Sequence, residues 1–310
     1  MKLSVFDSEN LPVHPHTYEK YLFNESFHLL SQPCPDKLTF HSLENELFVA
    51  RLSVFLENQK AFSPYRGTFG SVEIAKSLSD KNLYFFLTEI EKILQKKGIK
   101  EIFIKHYPFC YAPENSERIT VCLLDSGYEV SQTDLNQHLI ISEQAFENRL
   151  HTSEKRRLNK TIKAGFIFDI WERPDLQEVY DFIRQARERK GFPISLTFAD
   201  FERLFVLFPE QHLVFTVRQA EKLAALTVCI RINEKILYNF YPADQADFLA
   251  FSPSVLLTQG IYDYCQQKNF QILDLGISTD KSVPNEGLLR FKKNLGAETS
   301  LKLSFYKKIL

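Results

Sequence analysis

The sequence predicts a mixed α/β (α+β) protein built as two domains of one architecture, each a mixed, mostly antiparallel sheet flanked by helices. Three observations carry this. The chain has 310 residues, about twice a typical domain of ~150 residues. Its apolar residues form period-2 runs and period-3.6 stripes that follow one another in the same order in both halves. The spacing is kept as well, since Leu83 to Gly127 spans 44 positions and Val255 to Gly296 spans 41.

Taken in order, Lys37 to Ser63 alternates apolar and polar residues, with breaks at Glu44-Asn45 and Glu57-Asn58, which reads as antiparallel hairpins. Leu83, Phe86, Leu87, Ile90, Ile93 and Leu94 follow a helical stripe that Gly98 stops. A strand over Ile102–His106, a helix near Arg118–Ser126 and a closing strand over Asn136–Ile141 complete the first half. In the second, Phe166–Trp171 reads as a strand. Leu176, Val179, Tyr180 and Ile183 mark a helix running toward Gly191, and Thr197–Leu207 forms another. Strands follow over Leu213–Arg218, Leu223–Ile232 and Ile236–Tyr241. Leu257, Ile261, Tyr264 and Cys265 mark a helix, Ile272–Leu275 a strand, Glu286–Leu295 a helix, and Leu301–Tyr306 the last strand. A linker near Ser142–Leu150 sets the expected domains at 1–145 and 146–310.

Composition removes several classes of function. With 38 basic against 39 acidic side chains, the chain lacks the excess cations on which general polyanion binding depends. The 28 Phe imply large, rigid cores, and with only 10 Gly there is neither GxGxxG nor GxxxxGK[ST]. Met1 to Asn10 has no apolar run of about seven residues behind basic ones, so no secretory signal is expected. No window approaches the ~20 apolar residues of a spanning helix. The five cysteines are widely spaced with no CxxC, so neither a disulfide framework nor a zinc site is expected. His14-Pro15-His16 has metal-like spacing but lacks partners. A reduced, cytoplasmic protein without a bound metal is the resulting expectation.

Particular strings resemble a known family. The order strand–helix–helix–three antiparallel strands–helix–strand–helix–strand is that of the GNAT acyltransferase fold, and two such domains in one chain resemble the bacterial FemABX-type tandem-GNAT proteins. Lys155-Arg156-Arg157-Leu158-Asn159-Lys160, followed by Lys163-Ala164-Gly165, resembles the basic helix that opens that family's second domain. Tyr238-Asn239-Phe240-Tyr241 and then Ser252-Pro253-Ser254 resemble its fourth strand and following helix. Asp274-Leu275-Gly276, Gly287-Leu288-Leu289-Arg290-Phe291-Lys292 and Gly296 resemble its closing signature. The likeness covers most of residues 150–310; in the first half it is one of architecture alone.

The resemblance implies N-acyl transfer, from an activated donor to an amine such as a small molecule or a cell-wall precursor. The donor arm would lie in an opening between the strands at 236–241 and 272–275, pairing with the Tyr238-Asn239-Phe240 backbone, with Pro242 ending the ladder. No tightly bound cofactor is implied, with acyl-CoA entering as co-substrate. The (Q/R)-x-x-G-x-(G/A) pyrophosphate loop of CoA-dependent GNATs is missing, because Ala246–Phe251 holds no glycine. Fem-type members also lack it, and some take an aminoacyl group from tRNA instead. The coiled-coil arm of certain tRNA-using members is absent here.

Each candidate residue carries two readings. Ser252 is a good N-cap and Pro253 suits the first helical position, so with Ser254 this helix start either meets a donor's pyrophosphate or is a plain capping unit. Lys292 either stabilises charge on a carbonyl oxygen or phosphate, or is a surface lysine beside Lys293. Asp274, in an apolar strand, either takes a proton at a raised pKa or bonds backbone N–H groups beside Gly276 and holds the turn. Asp280 and Glu286 are comparable bases. Arg156, Lys160 and Lys163 share one helix face, for a phosphate-bearing substrate, a tRNA end or solvent. Tyr65 and Arg66 either line an acceptor cleft between the domains or belong to a tight turn. The rival to an enzyme is a non-catalytic tandem-GNAT protein that binds a ligand or partner.

Overall fold

The computed structural model describes residues 2–7, 15–34, 36–192 and 194–309. His14, half of the metal-like pair, lies outside them. In chain order the elements begin with β1 (Lys2–Asp7), α1 (Ser26–Ser31), β2 (Lys37–Glu44), β3 (Leu47–Glu57), β4 (Lys60–Ser63) and β5 (Glu73–Ile74). Next come α2 (Asp80–Lys96), β6 (Glu101–Lys105), α3 (Pro113–Asp125), β7 (Glu129–Ile140), α4 (Thr152–Lys163), β8 (Phe166–Ile170), α5 (Leu176–Arg189) and α6 (Phe198–Leu207). The rest are β9 (His212–Gln219), β10 (Lys222–Arg231), β11 (Ile236–Asn239), β12 (Ala243–Asp244), α7 (Pro253–Gln267), β13 (Ile272–Ile277), β14 (Thr279–Asp280), β15 (Val283–Pro284), α8 (Glu286–Asn294) and β16 (Glu298–Lys308).

The chain divides into two compact units, residues 1–135, 279–283 and 300–310 against residues 136–278 and 284–299. These differ from the contiguous stretches 1–145 and 146–310. The reason is strand pairing. In the first unit β6 pairs antiparallel with β16, the last strand of the chain, through Phe305↔Ile104. In the second, β13 pairs antiparallel with β7 through Asp274↔His138. The end of β7, from Asn136, and nearly all of β16, from Ser300, thus serve the unit opposite to the one their sequence position suggests.

The first unit orders its strands β1-β2-β3-β4-β6-β16. The two hairpin turns, Asn45-Glu46 and Asn58-Gln59, place both residues at positive φ, the twist that two-residue loops require. They fall where the sequence breaks. In α2 the expected stripe is buried at Leu83, Phe86, Leu87, Ile90 and Leu94, and Ser79 caps the helix by accepting from Asn82 N. Phenylalanine fills this core at Phe40, Phe55, Phe69 and Phe86. One buried ion pair crosses it: Arg51 Nε donates to Glu73 Oε2 at 2.6 Å, and Glu73 Oε1 accepts from Tyr21 N at 2.9 Å.

The second unit orders its strands β7-β13-β11-β10-β9-β8. One side of the sheet carries Leu139, Leu237, Leu273 and Leu275 in a core with Val255, Leu257 and Ile261 of α7. A separate core joins Val179 and Ile183 of α5 and Phe201 of α6 to Val214, Leu226 and Val228. Helix α7 approaches β8 closely: a Cβ on Gly260 would lie 2.2 Å from the Phe168 ring, so that position admits only glycine in this packing. In each unit one parallel pair, β4·β6 or β11·β13, sits in an otherwise antiparallel order. That is the repeated architecture expected from the sequence.

Candidate functional site

The site grows from the parallel pair of the second unit. β11 and β13 stay in register through Ile236↔Ile272, Leu237↔Leu273 and Tyr238↔Asp274, where their pairing stops. β11 is drawn toward β10, because Phe240 N and Tyr241 N both donate to Val228 O, at 3.0 and 3.1 Å. The ladder does not end at Pro242, as expected, but resumes at once through Leu226↔Ala243 and Ala225↔Asp244. The bulge absorbs the proline, whose missing N–H is not needed there. On the opposite side β13 continues to Ile277 with a register shift against β7 after Asp274. Gly276 sits in that shift at φ 75°, and a Cβ on it would lie 3.3 Å from the Tyr238 ring. Two strands that share three register pairs therefore part company beyond Tyr238 and Asp274.

Asp274 is buried at 1% exposure. Its Oδ1 accepts from Gly276 N at 2.7 Å and Asn136 Nδ2 at 2.8 Å. The turn-holding contact is thus present. Lys292 is the one buried residue of α8. Its Nζ donates to Gly276 O at 2.8 Å and Ile277 O at 3.0 Å, which uses two of the three ammonium donors. It is not the surface lysine of the simpler expectation. Burial pushes its pKa down to about 7, against the attraction of Asp274. Burial likewise pushes the Tyr238 phenol up.

His138 stands opposite Asp274 across β7·β13, 5% exposed, with its Nδ1 unpartnered. Desolvation lowers its pKa while Asp274 and Glu298 raise it, so the neutral imidazole is favoured. Beside it Gln137 Oε1 accepts from Ser278 Oγ at 2.5 Å and Gln137 Nε2 donates to Leu289 O at 3.2 Å. Sequence reasoning missed this polar stretch. Its signal is Asn136-Gln137-His138, three consecutive polar residues inside a closing strand, all buried.

The remaining candidates lie elsewhere. Asn239 is buried with its Oδ1 accepting from Thr227 Oγ1 at 2.5 Å, and the Phe240 ring lies 3.9 Å from that of Tyr241. Pro253 opens α7 as expected, but Ser252 sits in the left-handed region at φ 58° and its side chain caps nothing. Ser254 Oγ is 3.4 Å from Asp244 Oδ2. Lys160 Nζ donates to Ala250 O at 2.7 Å, whereas Arg156 is exposed. Asp280 and Glu286 are both exposed. Tyr65 and Arg66 belong to the first unit: Tyr65 OH donates to Glu57 at 2.9 Å and Arg66 N to Gln32 Oε1 at 2.7 Å. The structure therefore unites Tyr238, Asp274 and Lys292, and leaves the others outside that group.

Among the described residues no group of three His, Cys, Asp or Glu could hold a metal ion, and no helix is long and apolar enough to cross a membrane. No family model matches the sequence, and no curated protein matches it. Solved structures do resemble the fold. FemX aligns at a TM-score of 0.68 with 12% identity, over 87% of this chain and 87% of that one. L-PGS from Bacillus licheniformis aligns at 0.56 with 12% identity, over 91% and 86%. A tandem GNAT protein from the clavulanic acid biosynthesis pathway aligns at 0.54 with 9% identity, over 90% and 84%. The chain has the FemABX-like tandem GNAT fold.

Proposed function

We propose that the chain is an acyltransferase that moves an acyl or aminoacyl group from an activated donor to an amine. The observation that carries this is the parting of β11 and β13 beyond Tyr238 and Asp274. Backbone groups freed from a ladder accept an extended ligand arm as an added strand would. The amine nitrogen attacks the donor carbonyl, the carbon–sulfur or carbon–oxygen bond to the carrier breaks, and the proton lost by the amine ends on the departing thiolate or alkoxide, which leaves as the free thiol or alcohol. Positioning and stabilisation of the developing oxyanion supply the catalysis. In its ammonium form Lys292 keeps one N–H beyond its two carbonyl bonds for that oxyanion.

The donor is acyl-CoA as a co-substrate or an aminoacyl-tRNA, and the acceptor a small-molecule or cell-wall-precursor amine in the cytoplasm. A second function also has support. Asp274 and Lys292 both have complete structural tasks at the Gly276 bulge, as a non-catalytic tandem-GNAT binding protein would need. Mass spectrometry of the purified chain incubated with acetyl-CoA or aminoacyl-tRNA and a panel of amines separates the two. Transfer that Lys292→Ala abolishes, with circular dichroism unchanged, supports the enzyme. Product formation at an unaltered rate in that variant removes Lys292 from the chemistry, and no product from any donor refutes the enzyme.

A further inference from the structure

The first turn of α7 is where elementary electrostatics would send a donor's pyrophosphate, since it presents free N–H groups and a partial positive charge. In this chain a carboxylate already sits there. The pairs Leu226↔Ala243 and Ala225↔Asp244 clamp β12 to β10, and Gln245 N donates to Ala224 O at 2.9 Å. Asp244 is thereby fixed beside Ser254 in that first turn, its Oδ2 3.4 Å from Ser254 Oγ. Its Oδ1 lies 2.5 Å from Arg189 Nη2 and 3.0 Å from Lys190 Nζ. Arg189 Nη2 also donates to the Asp244 carbonyl at 2.9 Å.

The flanking segment is equally occupied. Residues Ala246–Phe251 wind into a 3-10 helix where a glycine loop would leave room for phosphate oxygens. Phe248 and Phe251 set their rings 5.6 and 5.2 Å from that of Phe166. The carbonyls of Ala250 and Phe251 accept from Lys160 Nζ and Thr161 Oγ1.

We infer that Asp244 is a specificity-determining residue that bars donors carrying a pyrophosphate from the end of α7. The inference rests on the transferase reading for its meaning, and on Asp244's contacts for its mechanism. Asp244 offsets one of the two positive charges beside it and so weakens their pull on an incoming phosphate. It also holds the two cations, Arg189 and Lys190, that such a phosphate would need. A pyrophosphate would compete with Asp244 for both cations.

Calorimetric titration of the full chain with CoA and with pantetheine, which lacks the pyrophosphate, tests this. The wild-type chain is expected to bind CoA no more tightly than pantetheine. Asp244→Asn keeps the side chain's shape and removes its charge; it should tighten CoA about tenfold or more and leave pantetheine unchanged. The gain should fade as salt rises, and Arg189→Gln in the Asp244→Asn background should remove it. Asp244→Ala gives a second variant should the first unfold. Strong preference of the wild-type chain for CoA over pantetheine overturns the inference. So does CoA binding that is unchanged, or undetectable, in both Asp244 variants. A variant that gains CoA but transfers nothing upholds Asp244's role and sinks the transferase reading instead. A wild-type chain that binds CoA tightly and transfers from it does the reverse.

Discussion

Lys292→Met replaces a buried ammonium with an apolar side chain of similar length and removes one titration from the folded state. In the wild-type chain, burial lowers the Lys292 pKa from 10.5 to about 7, a change equivalent to about 5 kcal/mol. Between pH 7 and 10.5 the unfolded chain holds this proton and the folded chain has released it. The unfolded state then binds more protons, so stability rises with pH through that window, and below pH 7 the whole penalty of the buried charge is present. From pH 7 to 9 the wild-type chain should gain about 2 kcal/mol relative to Lys292→Met. The substitution also strips donors from the Gly276 and Ile277 carbonyls, at about 1–3 kcal/mol each. That cost shifts the curve, but its dependence on pH is small, so the slope isolates the lysine. Urea unfolding of both proteins at pH 7, 8 and 9, followed by circular dichroism, gives the difference directly, with the other titrating groups cancelling. Parallel curves would show that Lys292 titrates near its ordinary value and would refute the electrostatic account of the site.

Two further predictions concern the scaffold. Gly260→Ala puts a methyl 2.2 Å from the Phe168 ring, so it should destabilise the second unit by about 1–3 kcal/mol; Phe168→Leu should recover part of this, and a thermal melt showing no loss contradicts the packing. His106, fully buried against Ser71 at 2.6 Å, has its pKa pushed down to about 3 by burial and by Lys302. Its stabilising effect is complete above the unfolded value of 6.5 and is lost as pH falls toward 3. Acidification from pH 7 to 5 should therefore cost the wild-type chain about 2 kcal/mol that His106→Gln does not lose, and equal losses in the two proteins would disprove it.

What the sequence made legible is what depends on local periodicity. The α2 stripe, the hairpin breaks and α8 stand within a few residues of their expected places, because a 3.6 or 2.0 repeat records which face is buried. Partnership between distant strands leaves no such record. β7 and β16 were recognisable as strands, but nothing local in Asn136–Ile140 says that it pairs with β13, 132 or more positions away in sequence at Ile272↔Ile140. The site suffers from the same limit. Lys292 and Asp274 came from a resemblance, whereas Asn136, His138 and Asp244 enter only once β7 and β12 are placed. The proline at 242 misled because a ladder can bulge around a missing N–H, which is a property of the Val228 carbonyl and not of Pro242.

The bulge contacts alone give no strong reason to bury a lysine. Two backbone carbonyls at Gly276 and Ile277 could be satisfied by water or by a neutral donor without the cost of desolvating an ammonium. Buried ion pairs replaced by well-packed apolar groups are often as stable or more so. Yet this chain holds an ammonium and a carboxylate together under α8, with a neutral imidazole opposite the carboxylate. It does so where two strands separate. A charge that is costly to the fold, has a pKa near neutrality and keeps one donor unspent is the arrangement expected where binding or chemistry uses it. That cost, together with the opening between β11 and β13, is why Lys292 points to use of the site by a ligand or a reaction and not to the fold alone.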